Sequence, residues 1–468
     1  MEKNEKKLPE RAGAQILKEG MKPRTLFYFS GVLVLILYHI GYDLSFGDVV
    51  SSYGNVLKRG SEYFPKDGNI LEAIYNFTVF HYNQWSSRNV IEAVLIIVGR
   101  LPAVCWRILD IGMAVLMGYC LDCLVQIKDQ KVKYLSIFSF LMMYPVVAMR
   151  SAGWIATTMN YSWVAATGLY VYLNIQRIRK GEQISKLSYV LALLAALYAM
   201  NQEQMCGFLL LILGMFLVKD LWDKKLKKAV LPFFVLNLAE FIWILTCPGN
   251  AFRKYGETVA YYPIYEDYSL IQKVYEGICS LLKGLFDVRG GILITLTCLL
   301  LLGYLVFKNK SSVFMKVTAV IPVIYVVVKC VNEKFQILTG LEGINGFLMD
   351  YRSSKRAAVL GCLMLACIFL TCYYVTRKLE EQMMFLGILG AASATKAVLG
   401  FSLAFLVSGE RTSIFLTFTL ILSALFLMEK NEDLFAFMAK KKCMLLLAVL
   451  NLGLLIWNCY SIANDRII

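Results

Sequence analysis

The sequence predicts an all-α fold, a polytopic transmembrane helical bundle of about thirteen helices. Residues of the set AVILMFWYC fill 58% of the 468 positions and charged residues only 17%, against about 45–50% and about 25% in soluble domains. Apolar runs of roughly 15–24 residues recur along the whole chain, the length that crosses a hydrocarbon core of about 30 Å at 1.5 Å per residue. Strand-like alternation is absent, and lipid tolerates only helices or closed barrels, so the runs are helices. This composition excludes ordinary soluble globular domains and disorder.

In order, the runs fall at 26–41, 108–125, 134–149, 158–174, 187–200, 205–218, 229–247, 291–307, 317–331, 357–375, 383–406, 413–428 and 443–460. Residues 1–25 form a charged tail. No small-residue cleavage site follows the first run, so it reads as a retained helix and not a signal peptide. Residues 26–468 then make one membrane domain. The formal charge of +15 would suggest nucleic acid in a soluble protein; here its sidedness carries the information. With 1–25 inside, the inner segments hold about 28 Lys and Arg in about 85 residues, and the outer ones about 18 in about 160. That asymmetry predicts a plasma-membrane protein with its N-terminus cytoplasmic and its C-terminus outside. Lys224, Lys225, Lys227 and Lys228, with Lys440 to Lys442, carry most of it as topology anchors, with no nucleic-acid partner implied.

Three outer segments are long, 42–107, 248–290 and 332–356, and function is expected on that face. Ile70, Leu71, Ile74, Phe77 and His81 recur at helical spacing, as do Val90, Ile91, Val94, Leu95, Val98 and Leu101, and Leu270, Ile271, Val274, Ile278, Leu281, Leu282 and Leu285. These stretches predict amphipathic helices in the outer interface. Two short runs flank Asn201-Gln202-Glu203-Gln204; 14 residues reach only about 21 Å, which draws Glu203 below the outer surface and marks a cavity there. Glu240 and Lys396 fall inside later runs and are candidates for an ion pair.

Familiar soluble chemistry finds little support. Two histidines, His39 and His81, leave no basis for zinc sites or His-based triads. There is no Walker A motif and no dinucleotide fingerprint. The thirteen cysteines suggest no disulfide framework, and Cys120-x-x-Cys123 lacks the nearby His or second pair of a metal site. What remains is a set of outer carboxylates, arginines and aromatic residues: Asp43, Asp48, Arg88, Arg253 and Arg411, beside Tyr82-Asn83-Gln84-Trp85 and Gly153-Trp154 through Asn160-Tyr161-Ser162-Trp163. Carboxylates deprotonate hydroxyls, arginines neutralise a departing phosphate and Trp faces stack on sugars.

The succession Asp43, Trp85-Ser86-Ser87-Arg88, Gly153-Trp154 through Trp163, Asn201-Gln202-Glu203, Pro248-Gly249-Asn250-Ala251-Phe252-Arg253 and Glu410-Arg411 resembles the GT-C superfamily of integral membrane glycosyltransferases. It looks most like a bacterial GT-C-like family similar in layout to phage-type glucosyltransferases that decorate surface polysaccharides. The resemblance implies a lipid bilayer setting, a polyprenyl-phosphate-linked sugar donor, an envelope glycan or lipid acceptor and inverting transfer outside the cell. It implies Asp43 or Asp48 as base, Arg88, Arg253 and Arg411 on the donor phosphate, and Trp85, Asn160, Trp163, Glu203 and Asn250 lining the sugar and acceptor cavity. Tyr42-Asp43 stands where the pattern has paired acids, and Ser87 where it has Gly, so no two-carboxylate clamp is evident and no metal is assigned. The alternatives are a transporter or flippase of lipid-linked saccharides, against which no internal repeat is found, and an envelope polysaccharide polymerase.

Overall fold

A computed structural model describes residues 21–44, 54–57, 60–64, 67–287, 291–309, 311–335, 337, 355–376, 378–402 and 408–464. Each of the thirteen expected runs coincides with a helix. They are α1 (Pro23–Gly41), α4 (Ala103–Leu124), α5 (Gln130–Met142), α6 (Trp163–Arg179), α7 (Lys186–Met200), α8 (Glu203–Trp222), α9 (Leu231–Leu245), α12 (Ile292–Lys308), α13 (Val313–Phe335), α14 (Lys355–Val375), α15 (Leu379–Ala397), α16 (Ile414–Lys430) and α17 (Lys441–Ala463). Among the described residues, nine helical segments are long and apolar enough to cross a membrane, and α7 and α12 are shorter apolar helices. The chain is therefore a multi-pass membrane protein. Of the third long loop only its two ends, 332–335 with 337 and 355–356, fall within the described residues.

Four further helices fill the other two long segments: α2 (Ile70–Gln84), α3 (Asn89–Arg100), α10 (Pro248–Tyr261) and α11 (Leu270–Phe286). Their starts are chemically marked. Asn69 accepts from the Glu72 amide at 2.9 Å to cap α2, and Ser269 with Gln272 forms a capping box on α11. In α3 the periodic positions Ile91, Leu95 and Val98 are buried, as expected of an amphipathic helix. In α11 the buried positions Leu281, Leu282 and Leu285 lie in its second half, while Leu270 and Ile271 at its start are exposed. The expected face is thus split between protein contact and surface.

The core among the described residues has two large lobes and a small third cluster. One lobe gathers α11 to α16 with α5, the other α1, α3 to α9, α15 and α16, and Ala73 and Phe77 of α2 pack in the small cluster with Val56, Leu57, Phe64 and Ile96. The bundle turns on α16: 83% of its apolar window is buried, against 11% for α17. The two segments have nearly the same mean hydropathy, 1.8 and 1.9, so position inside the bundle rather than composition sets α16 apart.

The two ends of the bundle differ in charge. At one end lie Lys224, Lys225, Lys227, Lys228 and Lys440 to Lys442, beside a belt of ion pairs. Asp122 takes Arg24 at 3.1 Å and Lys133 at 2.7 Å, Arg179 pairs with Asp220 at 2.6 Å, and Lys308 with Asp433 at 2.8 Å. The other end carries α2, α3 and α10.

The expected Glu240–Lys396 ion pair does not form. Asn201 donates to Glu240 Oε2 at 3.2 Å, whereas Lys396 Nζ donates to Thr412 Oγ1. Each group has its own neighbour on its own side of α8, so both are satisfied locally.

Candidate functional site

The corner between α7 and α8 organises the end of the bundle opposite the lysines. Asn201 accepts at Oδ1 from the amides of Val90 (3.0 Å) and Ile91 (3.2 Å) and donates to Ser87 O (3.3 Å). A buried amide thereby caps α3, a helix more than a hundred residues away in sequence. Gln202 caps α8 by accepting from Met205 N at 2.8 Å. The break between two short apolar runs is thus a pair of caps, and it sets Glu203 in the first turn of α8 with its side chain 22% exposed.

Arg88, the N-cap residue of α3, meets Glu203 there. Its Nε and Nη2 both donate to Glu203 Oε2, at 2.8 and 2.6 Å, and Nη1 donates to Asn160 Oδ1 at 3.0 Å. The guanidinium carbon also lies 5.9 Å from the Tyr161 ring centre. Burial works against the Arg88 charge, and the adjacent Glu203 carboxylate more than restores it, so its pKa is raised. Glu203 Oε1 is buried with no hydrogen-bond partner among the described residues.

These groups form one wall of a cavity of about 530 Å³. Trp85, Arg88, Asn160, Glu203, Asn250, Arg253 and Arg411 all line it, so residues chosen from five separate stretches of sequence share one space. Local geometry explains several placements. Thr158 to Ser162 form a π-helical turn between the helical turn Trp154–Thr157 and α6. That wider turn puts Asn160 and Tyr161 in this cavity, and Thr158 and Ser162 in a neighbouring apolar cavity of about 190 Å³. Arg411 follows Gly409, whose φ of 57° lies in the left-handed region that glycine adopts without steric cost. Gly249, at the start of α10, packs directly on α2: a Cβ there would stand 2.4 Å from Trp85 N. That contact seats α10 as a cavity wall.

Two sequence-predicted residues, Asp43 and Trp163, are placed differently, and a third falls on residues that are not described. Asp43 is exposed at the end of α1 and is not among the residues that line the cavity. Asp48 lies outside the described residues. Trp163 is 3% exposed, and its indole donates to Asp110 Oδ1 at 2.7 Å, beside His39 and away from the cavity. An uninterrupted α-helix would set positions 160 and 163 on one face; the π turn separates them.

The cavity also holds Glu92, Lys254 and Glu257, which sequence reasoning missed. Glu92 Oε1 lies 3.0 Å from His81 Nδ1, its side chain 4% exposed. Glu257 stands one turn after Arg253, with Oε1 3.9 Å from Arg253 Nε, its side chain 10% exposed and Oε2 buried without a hydrogen-bond partner among the described residues. Burial pushes both carboxyls above their ordinary value, against the pull of His81 on Glu92 and of Arg253 and Arg411 on Glu257. The missed signal was α10 itself, where Arg253, Lys254 and Glu257 fall on one face and Phe252, Tyr255 and Val259 are exposed.

The charges of the lining divide into two groups. Arg88, Arg253, Lys254 and Arg411 stand against Glu92, Glu203 and Glu257. Arg88 is committed to Glu203, and Glu92 faces His81, which leaves Arg253, Lys254 and Arg411 around Glu257. Arg411 Nη2 donates to Ser408 at 3.2 Å, and its buried Nε has no hydrogen-bond partner among the described residues. The arrangement suits an anion with hydroxyl groups beside it. No metal-binding group of three or more His, Cys, Asp or Glu occurs among the described residues. Compared with known protein families, curated proteins and solved structures, the chain matches none.

Proposed function

We propose that the chain is a membrane glycosyltransferase that moves a sugar, with inversion, from a polyprenyl-phosphate donor to a cell-envelope glycan or lipid acceptor. The lysine-rich end is cytoplasmic in this reading, and the cavity opens on the extracytoplasmic face. The observation that carries it is the convergence of Arg88, Arg253, Arg411, Trp85, Asn160, Glu203 and Asn250 on one cavity. Arg253, which stands 3.9 Å from Glu257, supplies the phosphate half together with Lys254 and Arg411, where charge develops on the leaving group. Asn160, Asn250 and Trp85, the last 48% exposed, supply amides and an aromatic face for the sugar. Arg88, with Nε, Nη1 and Nη2 already bonded, holds the wall in shape. Asp43 and Asp48 remain first-loop acids that the family resemblance offers as base. A transporter of lipid-linked saccharides is favoured less, because the sequence carries no internal repeat of the kind such transporters are built on.

The test uses the full chain in lipid nanodiscs with farnesyl phosphate as binding probe and polyprenyl-phosphate hexoses as donors for an envelope acceptor fraction. Wild type should bind the probe and transfer sugar, and Arg253→Gln with Arg411→Gln should lose both. Each lost charge-assisted contact is worth about 1.5–3 kcal/mol, so the double variant should bind at least about a hundredfold more weakly. Movement of lipid-linked saccharide across a bilayer without any sugar transfer would establish the transporter instead.

A further inference from the structure

We infer that Glu257 is the proton acceptor of this cavity, the group that activates the acceptor hydroxyl; the inference rests on the glycosyl-transfer reading. Among the described residues three carboxylates line the cavity, and their neighbours separate them. Glu203 receives two guanidinium hydrogen bonds on one oxygen, which stabilise its charge and weaken it as a base. Glu92 is the most enclosed of the three at 4% exposed, and its Oε1 lies 3.0 Å from His81 Nδ1; its Oε2 is also without a hydrogen-bond partner among the described residues, so enclosure and the close imidazole, rather than a lack of free oxygen, set it apart from Glu257. Glu257 has Arg253 as its ion-pair neighbour among the described residues, at 3.9 Å, feels Arg411 at longer range, and its Oε2 is buried with no hydrogen-bond partner among the described residues.

Its position fits the task. α10 presents Arg253, Lys254 and Glu257 together to the cavity, so the anion-binding group and the base ride on one rigid element. In the transfer step the acceptor oxygen forms a bond to the anomeric carbon while the bond from that carbon to the donor phosphate oxygen breaks. The hydroxyl proton goes to Glu257 Oε2, and the departing phosphate keeps the bonding pair, its charge met by Arg253 and Arg411. Burial strengthens Glu257 as a base by raising its pKa. As a base it must be ionised, so activity falls as pH drops through that raised value, above the ordinary glutamate range.

The experiment compares wild type, Glu257→Gln, Glu257→Asp, Asp43→Asn and Asp48→Asn in nanodiscs, reading farnesyl phosphate affinity, hexose transfer across pH and melting temperature. Glu257→Gln should keep probe affinity and melting temperature while kcat falls about 10²–10⁴-fold and the acid limb of the pH profile disappears. Glu257→Asp should restore part of the rate and the acid limb. Full transfer by Glu257→Gln alongside loss in Asp43→Asn or Asp48→Asn overturns the inference and leaves the glycosyl-transfer reading intact. Loss of probe affinity in Glu257→Gln overturns it too, because the residue then acts in binding. Should Glu257→Gln fail to fold, a Glu257→Asp profile identical to wild type overturns it. Wild type that binds the probe and transfers nothing defeats the inference together with the reading.

Discussion

One helix, α8, carries a buried arginine–carboxylate pair at each end, and the two pairs are built differently. Near its end, Asp220 offers both oxygens to Arg179, which donates Nε to Oδ2 at 2.8 Å and Nη2 to Oδ1 at 2.6 Å. The guanidinium also lies 3.9 Å from the Phe216 ring centre. At its start, Glu203 accepts both Arg88 contacts on one oxygen, and the other oxygen is buried with no hydrogen-bond partner among the described residues, in a side chain that lines a cavity. A pair that uses every oxygen and stacks on an aromatic ring is closed to any third party. A pair that leaves an oxygen unused beside a cavity can take part in recognition. The contrast is one of coordination, since the N···O distances are the same, 2.6 Å.

The largest effect should come from breaking the closed pair. Asp220→Asn leaves the Arg179 charge buried, with side chains 14% and 10% exposed, and losing one partner of a buried pair costs about 3–5 kcal/mol. Thermal unfolding in detergent should show a large drop in melting temperature. Farnesyl phosphate binding below that temperature should be unchanged, because the cavity lies at the other end of the helix. An unaltered melting temperature would mean that water reaches this pair freely.

The open pair should respond less in stability and more in binding. Glu203→Gln keeps an amide oxygen for Arg88, and the site is 22% exposed, so the cost should be about 1–3 kcal/mol. Removing the counter-charge of Arg88 leaves the cavity with more net positive charge, and farnesyl phosphate should bind more tightly than to wild type. Equal destabilisation by Glu203→Gln and Asp220→Asn, with probe affinity unmoved, would erase the distinction between the two ends.

The same contrast explains what was legible in the sequence. Helices over thirteen apolar runs could be read because run length and composition are local properties, and Glu203 drew notice because two adjacent runs were too short to span. Arg88 could be picked out, yet its partner 115 positions away could not, since pairing is set by packing. α10 went unread because Pro248-Gly249 looks like a turn; in the structure Pro248 starts a helix, where its missing amide costs nothing, and Gly249 lets two backbones touch. The family resemblance groups Trp163 with Asn160, and the π turn at Thr158–Ser162 sets the two on different faces. The role of Asp43 as base comes from the family resemblance, which specifies order along a chain and not the wall of a cavity.

The smallest effect should come from an ionic cluster that also sits on α8 but in solvent. Lys219 Nζ contacts Asp223 and Glu380, each at 2.9 Å, with side chains 44%, 31% and 78% exposed. It makes more ionic contacts than Glu203 does, and a ranking by number of contacts would place Lys219→Ala above Glu203→Gln. Burial reverses that order, because exposed pairs gain little in high dielectric and are screened by salt. At physiological ionic strength Lys219→Ala should leave melting temperature and probe binding within experimental error of wild type. A loss as large as that of Glu203→Gln would show that ionic contact number, rather than access to water, governs both ends of α8. The argument that separates a closed pair from an open one would then fail at its premise.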